Sequence, residues 1–309
     1  WFNCPQTSTN NDREFVENHI YGFEAFSRYL NNSDFSPSRL STVTGITEEA
    51  FYELSQLLKE YKPCSSWIGY GFQRHSNSGQ SIRAINALMA LTGNIGKSGA
   101  GAYYLRLGQE AFPLKLANHN SSVQNRLVNI NDFASSILSL QDPPVKFIWI
   151  SGRNPLSQDQ GLTAWRELLN QLELIVTVDL FMTKTAEHSD LVLPAASHFE
   201  EYDLNISYWH YWLALNEKAL PAYYEAKSDL EIFRLLTRKL NKLSAGFSDF
   251  PAELSAEDWL ASEITTQIKV SYGINSWQDL KNGPKKLQME IPWSSCKFRT
   301  ASGKFEIYS

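Results

Sequence analysis

The chain has 309 residues, 43% hydrophobic and 20% charged, with a formal net charge of −5. That is globular composition at a length for one large or two medium domains, and the acidic balance argues against non-specific nucleic-acid binding. The three cysteines, Cys4, Cys64 and Cys296, form no Cys-x-x-Cys pair and leave no basis for a disulfide framework, a zinc knuckle or a chain-internal iron–sulfur site.

No apolar run approaches the roughly 20 residues that span a bilayer. Nine Trp and 14 Tyr favour a solid core over disorder. The chain opens at Trp1 without a signal-peptide pattern. It closes on Phe305-Glu306-Ile307-Tyr308-Ser309, which reads as a strand entering further structure. Both ends are expected to be internal to a longer protein.

Phe15, Val16, His19, Ile20, Phe23, Phe26 and Leu30 recur at helical spacing across 12–31, and Pro37 with its Ser/Thr neighbours should break that helix. Thr47 can cap a second helix whose first turn holds Glu48 and Glu49, with Pro63 beyond its end. A short strand is expected over 66–70, then a polar loop over 71–79. A helix carrying Ile82, Ile85, Leu88 and Met89 follows.

That helix runs into Leu91-Thr92-Gly93-Asn94-Ile95-Gly96-Lys97-Ser98-Gly99-Ala100-Gly101. The run reads either as a helix C-cap and loop or as backbone that approaches a ligand closely. It is not a phosphate loop, because Gly96-Lys97-Ser98 follows a helix and no strand precedes it. Residues 103–145 lack periodicity and allow only a short helix over 121–128.

Phe147-Ile148-Trp149-Ile150 and Leu174-Ile175-Val176-Thr177-Val178 read as buried strands flanking an amphipathic helix with Leu162, Trp165, Leu168, Leu169 and Leu172 on one side. Strand, loop, helix, strand predicts an α/β fold with an open, mostly parallel sheet and flanking helices. Ligands of such sheets sit beyond the carboxyl ends of the strands. Asn154 and Asp179 should therefore share one rim. Leu191-Val192-Leu193 makes a short buried strand stopped by Pro194, and residues 208–215 read as an edge strand. Ser228–Glu231 and Ser255–Asp258 read as capping boxes. Gly283-Pro284 marks a boundary.

Few groups suggest chemistry. His188, Asp190 and His198 fit no metal-ligand spacing, and Asp190 and His198 should fall at opposite ends of one strand. Ser197-His198 beside Glu200 lacks a nucleophile-elbow pattern. Asp179 has two readings: N-cap of the segment 181–187, or a carboxylate that takes paired donors from the planar edge of a base such as guanine. Glu200, Glu201 and Asp203 read as a solvated acidic run, and Asp229 as part of a helix's first turn.

Several segments together resemble the molybdopterin oxidoreductases of the dimethyl sulfoxide reductase family. They are Gly69-Tyr70-Gly71-Phe72-Gln73-Arg74-His75 with Gly79 and Arg83, then Leu91 to Gly96 with Gly99-x-Gly101, then Gly152-Arg153-Asn154-Pro155. After these come Asp179-x-Phe181-x-Thr183-x-Thr185-Ala186, Ser189-Asp190-Leu191-Val192-Leu193-Pro194-Ala195, Phe199-Glu200 and Ser302-Gly303-Lys304-x-Glu306. Their order is collinear and spans essentially the whole chain.

The resemblance implies the central part of a catalytic subunit with Rossmann-like dinucleotide-binding units. In the family, two such units related by pseudo-symmetry each bind one pterin-guanine dinucleotide, and the metal lies between them. Residues 1–72 would finish one unit, 73–285 would form most of the second, and 286–309 would lead into a further domain. The implied cofactor is bis-molybdopterin guanine dinucleotide with molybdenum or tungsten. A 4Fe-4S cluster and the metal's protein ligand would lie outside this chain. Asp179 would bind guanine, with Thr183 beside it and Gly152, Arg153 and Asn154 lining the pocket. Tyr70, Gly71 and Arg74 would contact the pterin, and Glu201 and Asp229 match further cofactor-contacting positions.

Where many members have Lys-Gly after the glutamate at 200, this chain has Glu201-Tyr202-Asp203, so a basic contact is missing. The implied activity is two-electron redox or oxygen-atom transfer on a small molecule, in the cytoplasm. The rest of the polypeptide and electron-transfer subunits would be partners. The rival readings are a non-catalytic guanine-nucleotide-binding module and a degenerate scaffold subunit.

Overall fold

The computed structural model describes residues 12–32, 35–105, 111–113 and 126–308. Packing divides the chain into two units, residues 1–106 with 288–309, and residues 107–287. The pairing of strands near 66 and 102 keeps residues 73–106 with those before them. This is a division by packing, and the boundaries at 72 and 285 are those that the family resemblance implies.

In the first unit, helix α1 (Arg13–His19) runs into strand β1 (Ile20–Tyr21), and Gly22 turns the chain into α2 (Phe23–Asn32). The single helix expected over 12–31 is thus interrupted. Ile20 and Tyr21 pair in parallel with Phe305 and Glu306 from the far end of the chain. The expected strand at the chain's end is present, and this pairing is what breaks the helix. Pro37 opens α3 (Pro37–Thr44) where a break was expected, because Ser36 caps the helix and proline at its first position loses no helical hydrogen bond.

Helix α4 (Glu48–Glu60) starts as expected, with the Thr47 hydroxyl accepting the Ala50 N–H. Strand β2 (Ser65–Trp67) pairs in parallel with β3 (Gly101–Tyr103), and α5 (Ser78–Leu91) lies between them in sequence. Residues Tyr70–Arg74 form a 3-10 turn within the stretch expected as strand end and loop. The core here joins Phe15, Val16 and Ile20 to Ala87, Ala90, Leu91 and Ile307.

The second unit contains α6 (Phe133–Leu138), which periodicity did not reveal. Of the helix expected over 121–128, residues 121–125 lie outside the described residues, and 126–128 are not helical. Then follow β4 (Phe147–Ser151), α7 (Pro155–Gln158), α8 (Leu162–Gln171), β5 (Leu174–Asp179) and β6 (Leu191–Pro194). The three strands form one parallel sheet in the order β4-β5-β6.

Alternation along β4 sends its side chains to opposite faces. Ile148 and Ile150 pack with Trp165, Leu168, Leu169 and Ile175 on the α6/α8 side. Trp149 points the other way and meets Phe233 of α9 (Asp229–Leu243), ring centroids 5.3 Å apart. Helices therefore cover both faces of a parallel sheet, as the α/β pattern predicts.

The remaining sheet is antiparallel: β7 (Asp203–Ile206), β8 (Trp212–Asn216) and β9 (Lys285–Lys286), with β8 in the middle. The segment read as an edge strand over 208–215 is thus central and begins four residues later. Its Leu213 is fully buried against α10 (Ala256–Glu263), α11 (Thr266–Tyr272) and the turn Trp277–Asn282. The last strand, β10 (Phe305–Glu306), is the partner of β1 already described.

The two capping boxes differ. At α9 the Ser228 hydroxyl accepts the Glu231 N–H, but the Glu231 carboxylate turns to Arg234 at 2.7 Å, so only half the box forms. At α10 both halves form: Ser255 Oγ accepts the Asp258 N–H at 3.1 Å and Asp258 Oδ2 accepts the Ser255 N–H at 2.8 Å. Ser255→Ala should cost about 1 kcal/mol in a denaturation midpoint measurement. A loss indistinguishable from zero would mean the cap does not form in solution.

Candidate functional site

The carboxyl ends of β4, β5 and β6 form one rim, because all three strands run the same way and Ser151 is in register with Val178, and Asp179 with Pro194. Each strand there gives way to a loop. After β4 the chain turns through Gly152-Arg153-Asn154 into α7. A Cβ built on Gly152 would meet nothing within 4 Å, so the backbone here borders open space.

Asn154 is held at its backbone and at its side chain. Its N–H donates to Gln158 Oε1 at 2.8 Å, and its Oδ1 accepts the Thr185 hydroxyl at 2.6 Å. Thr185 in turn accepts the Leu156 N–H at 3.1 Å and is completely buried. With Asn154 Oδ1 engaged, its Nδ2 is the end left to donate outward. Thr185 ties the β4 loop to the β5 loop. It was legible as part of a motif, but its linking role was not, since the contact spans 31 residues.

Asp179 ends β5 and is half-buried. Its Oδ1 accepts the Phe181 N–H at 3.3 Å and its Oδ2 accepts the Thr183 hydroxyl at 3.4 Å. Both contacts are long and hence weak. A carboxylate has about four acceptor positions, so two stay open to a ligand that offers paired donors. Asp179 does not cap the following 3-10 turn Ala186–His188, whose N-cap is Thr185.

Arg153 lies differently. Its guanidinium pairs with Asp159 at 2.6 Å and sits over the rings of Phe133 and Trp165, at 5.5 and 5.9 Å from their centroids. It anchors the loop on the α6/α8 side.

Asp229, in the first turn of α9, accepts the Ser151 hydroxyl at 2.8 Å and so reaches the same rim. Ser151 was not singled out from sequence, because its partner is 78 residues away. Glu201 is half-buried, and its carboxyl is raised above the ordinary range, first by loss of solvent and then by the charges of Asp203 and Asp229.

The folded state holds the Glu201 proton to higher pH than the unfolded chain, so stability falls as pH rises from about 4.5 through the raised value. Glu201→Gln should flatten that limb and leave the protein more stable than wild type at neutral pH. The Asp203 carboxyl is also raised by burial and adds a limb of the same sign, so denaturation midpoints between pH 4 and 7 are compared for variant and wild type, and identical pH dependence in the two would remove Glu201 as a source.

Ser197 is not poised as a nucleophile. Its N–H and hydroxyl both donate to Glu200 Oε2, at 2.7 and 2.8 Å, in a capping box. The other Glu200 oxygen accepts the Tyr223 N–H at 2.5 Å, and these bonds hold the Glu200 carboxyl below the usual range. Asp190 Oδ2 accepts the Ile175 N–H at 2.8 Å, at the opposite end of β5. Among the described residues no group of three or more His, Cys, Asp or Glu side chains could hold a metal ion. No helix among them is long and apolar enough to cross a membrane.

Tyr70, Gly71 and Arg74 belong to the first unit and lie in the 3-10 turn Tyr70–Arg74. Tyr70 meets the edge of Tyr104, ring centroids 5.8 Å apart, and Tyr104 donates to Gln73 at 2.6 Å. Gly71 and Arg74 are exposed. A cleft of about 800 Å³ also lies in this unit, lined among others by Arg13, Glu17, Tyr21, Arg28 and Tyr308. Its lining includes none of the residues named as candidate cofactor contacts.

The sequence profile of the molybdopterin oxidoreductases matches residues 36–239. "Probable oxidoreductase YoaE" of Bacillus subtilis is 31% identical over 96% of this chain and 43% of its own length. "Probable oxidoreductase YyaE" of the same organism is 30% identical over 96% of this chain and 44% of its own. The chain thus spans less than half the length of these curated relatives. Among solved structures, acetylene hydratase from Pelobacter acetylenicus matches all of this chain and 46% of its own, with a TM-score of 0.67 at 19% identity, a likeness of fold.

Proposed function

This chain belongs to the molybdopterin oxidoreductase family, and we propose that the β4–β5–β6 rim binds the guanine end of a molybdopterin guanine dinucleotide in a molybdenum or tungsten oxidoreductase. The observation that carries this is the Asp179 carboxylate, with two acceptor positions left open at the end of a buried parallel strand. Guanine N1–H and N2–H are paired donors on one planar edge and suit it.

The donor set fits the rest of the base. The Asn154 amide can donate to guanine O6, Thr183 steadies the Asp179 carboxylate, and Gly152 leaves room for the ring. Asp229 and Glu201 make this end of the rim anionic, which suits an N–H edge and repels phosphate. The pyrophosphate therefore lies away from them. Arg153 acts by holding the loop, and Tyr70, Gly71 and Arg74 contact the pterin. The bound cofactor supplies two-electron redox or oxygen-atom transfer, while the protein supplies binding, orientation and electrostatics. The substrate is a small molecule, and the partners are the rest of the polypeptide, electron-transfer subunits and, within that polypeptide, a 4Fe-4S cluster.

Elemental analysis and acid-released GMP on the purified full-length protein test this. Molybdenum or tungsten is expected with about two GMP per metal, as a bis-dinucleotide cofactor requires. Guanine nucleotide without metal would favour a binding module, and neither would favour a scaffold subunit.

A further inference from the structure

Leu180, Phe181 and Met182 follow Asp179 directly, and they are 55%, 75% and 65% exposed. Three consecutive exposed apolar side chains on a polar rim are a fault in a sequence unless they serve a function. Phe181 makes no ring contact with any described residue, yet its backbone N–H donates to Asp179 Oδ1 at 3.3 Å. The turn therefore places a bare aromatic ring and an open carboxylate two residues apart.

A carboxylate can read only the edge of a base. A planar base also has two faces, and an aromatic side chain beside the edge reader is the group suited to cover one. We propose that Phe181 stacks on the base whose edge Asp179 reads, so that the ring supplies affinity for any purine and the carboxylate selects guanine. This rests on the reading of Asp179 as a guanine-binding residue. The committed occupant is a purine base and not another protein surface, because an apolar protein surface would bury the Asp179 carboxylate without paired donors.

The test is equilibrium dialysis of GDP and IDP against the full-length, cofactor-free protein. IDP lacks the 2-amino group, so the GDP/IDP ratio reports on Asp179 alone. Phe181→Leu should weaken both nucleotides by the same factor, about tenfold, with the ratio unchanged, and Phe181→Tyr should restore wild-type binding. Asp179→Asn should collapse the ratio towards one.

If Phe181→Leu binds both nucleotides as wild type does while Asp179→Asn collapses the ratio, stacking is wrong and the guanine reading stands. If Asp179→Asn leaves the ratio intact, or the wild type binds neither nucleotide, the guanine reading fails and the stacking fails with it. Phe181 is three-quarters exposed, so its substitution should leave the thermal midpoint in place. A shifted midpoint would mean the ring packs within the protein, which also overturns the proposal.

Discussion

Gly96→Ala should cost about 2–5 kcal/mol. Two effects add. Gly96 has φ +73°, where an L-residue is disfavoured by roughly 1–2 kcal/mol. A Cβ there would also stand 2.5 Å from the Trp293 carbonyl oxygen and 3.1 Å from its carbon. Those are backbone atoms and cannot swing aside, and overpacking of this kind costs about 1–3 kcal/mol.

Gly45 separates the two effects. It has the same φ of +73°, but a Cβ there would meet nothing within 4 Å. Gly45→Ala should therefore show only the conformational cost, about 1–2 kcal/mol. Differential scanning calorimetry on both variants gives the comparison. Equal losses would show that the 91–101 loop does not press against the 291–296 segment in solution. The close approach that the glycines permit is thus an approach to the chain's own backbone.

The second large effect is at the rim. Asp179→Ala in the full-length protein should weaken cofactor retention by about tenfold to a hundredfold, since a charge-assisted pair contributes about 1.5–3 kcal/mol. GMP and metal content after matched purification report it. The protein's own fold should barely respond, because the bonds from Phe181 and Thr183 to this carboxylate are 3.3 and 3.4 Å long. A thermal midpoint close to wild type alongside depleted GMP is the outcome that supports a ligand-binding role. Unchanged GMP content would count against placing guanine at Asp179.

The two effects sit at different distances from the sequence. Asp179 could be singled out because the evidence for it is local: a run of buried β-branched residues ending in a carboxylate. The reach of Asp229 to Ser151, and of Thr185 to Asn154, could not, because each depends on which strand ends are brought together. Arg153 shows the same limit from the other side. Its place in the motif suggests a pocket-lining cation, while Asp159, Phe133 and Trp165 take up its guanidinium.

The sequence by itself determined the repeating local order: the Thr47 and Ser255 caps, the β4-α8-β5 unit, the parallel sheet and hence the rim on which Asn154 and Asp179 lie. These follow from propensity, periodicity and turn chemistry, which act over a few residues. Tertiary structure alone decided where long-range pairing overrides them. It broke the 12–31 helix at Gly22 so that Ile20 could pair with Phe305, and it made β8 a central strand. It also pressed Gly96 against Trp293. The physical reason is that a backbone hydrogen bond or a close packing contact is indifferent to separation along the chain, whereas every signal readable in the sequence decays within a turn or two.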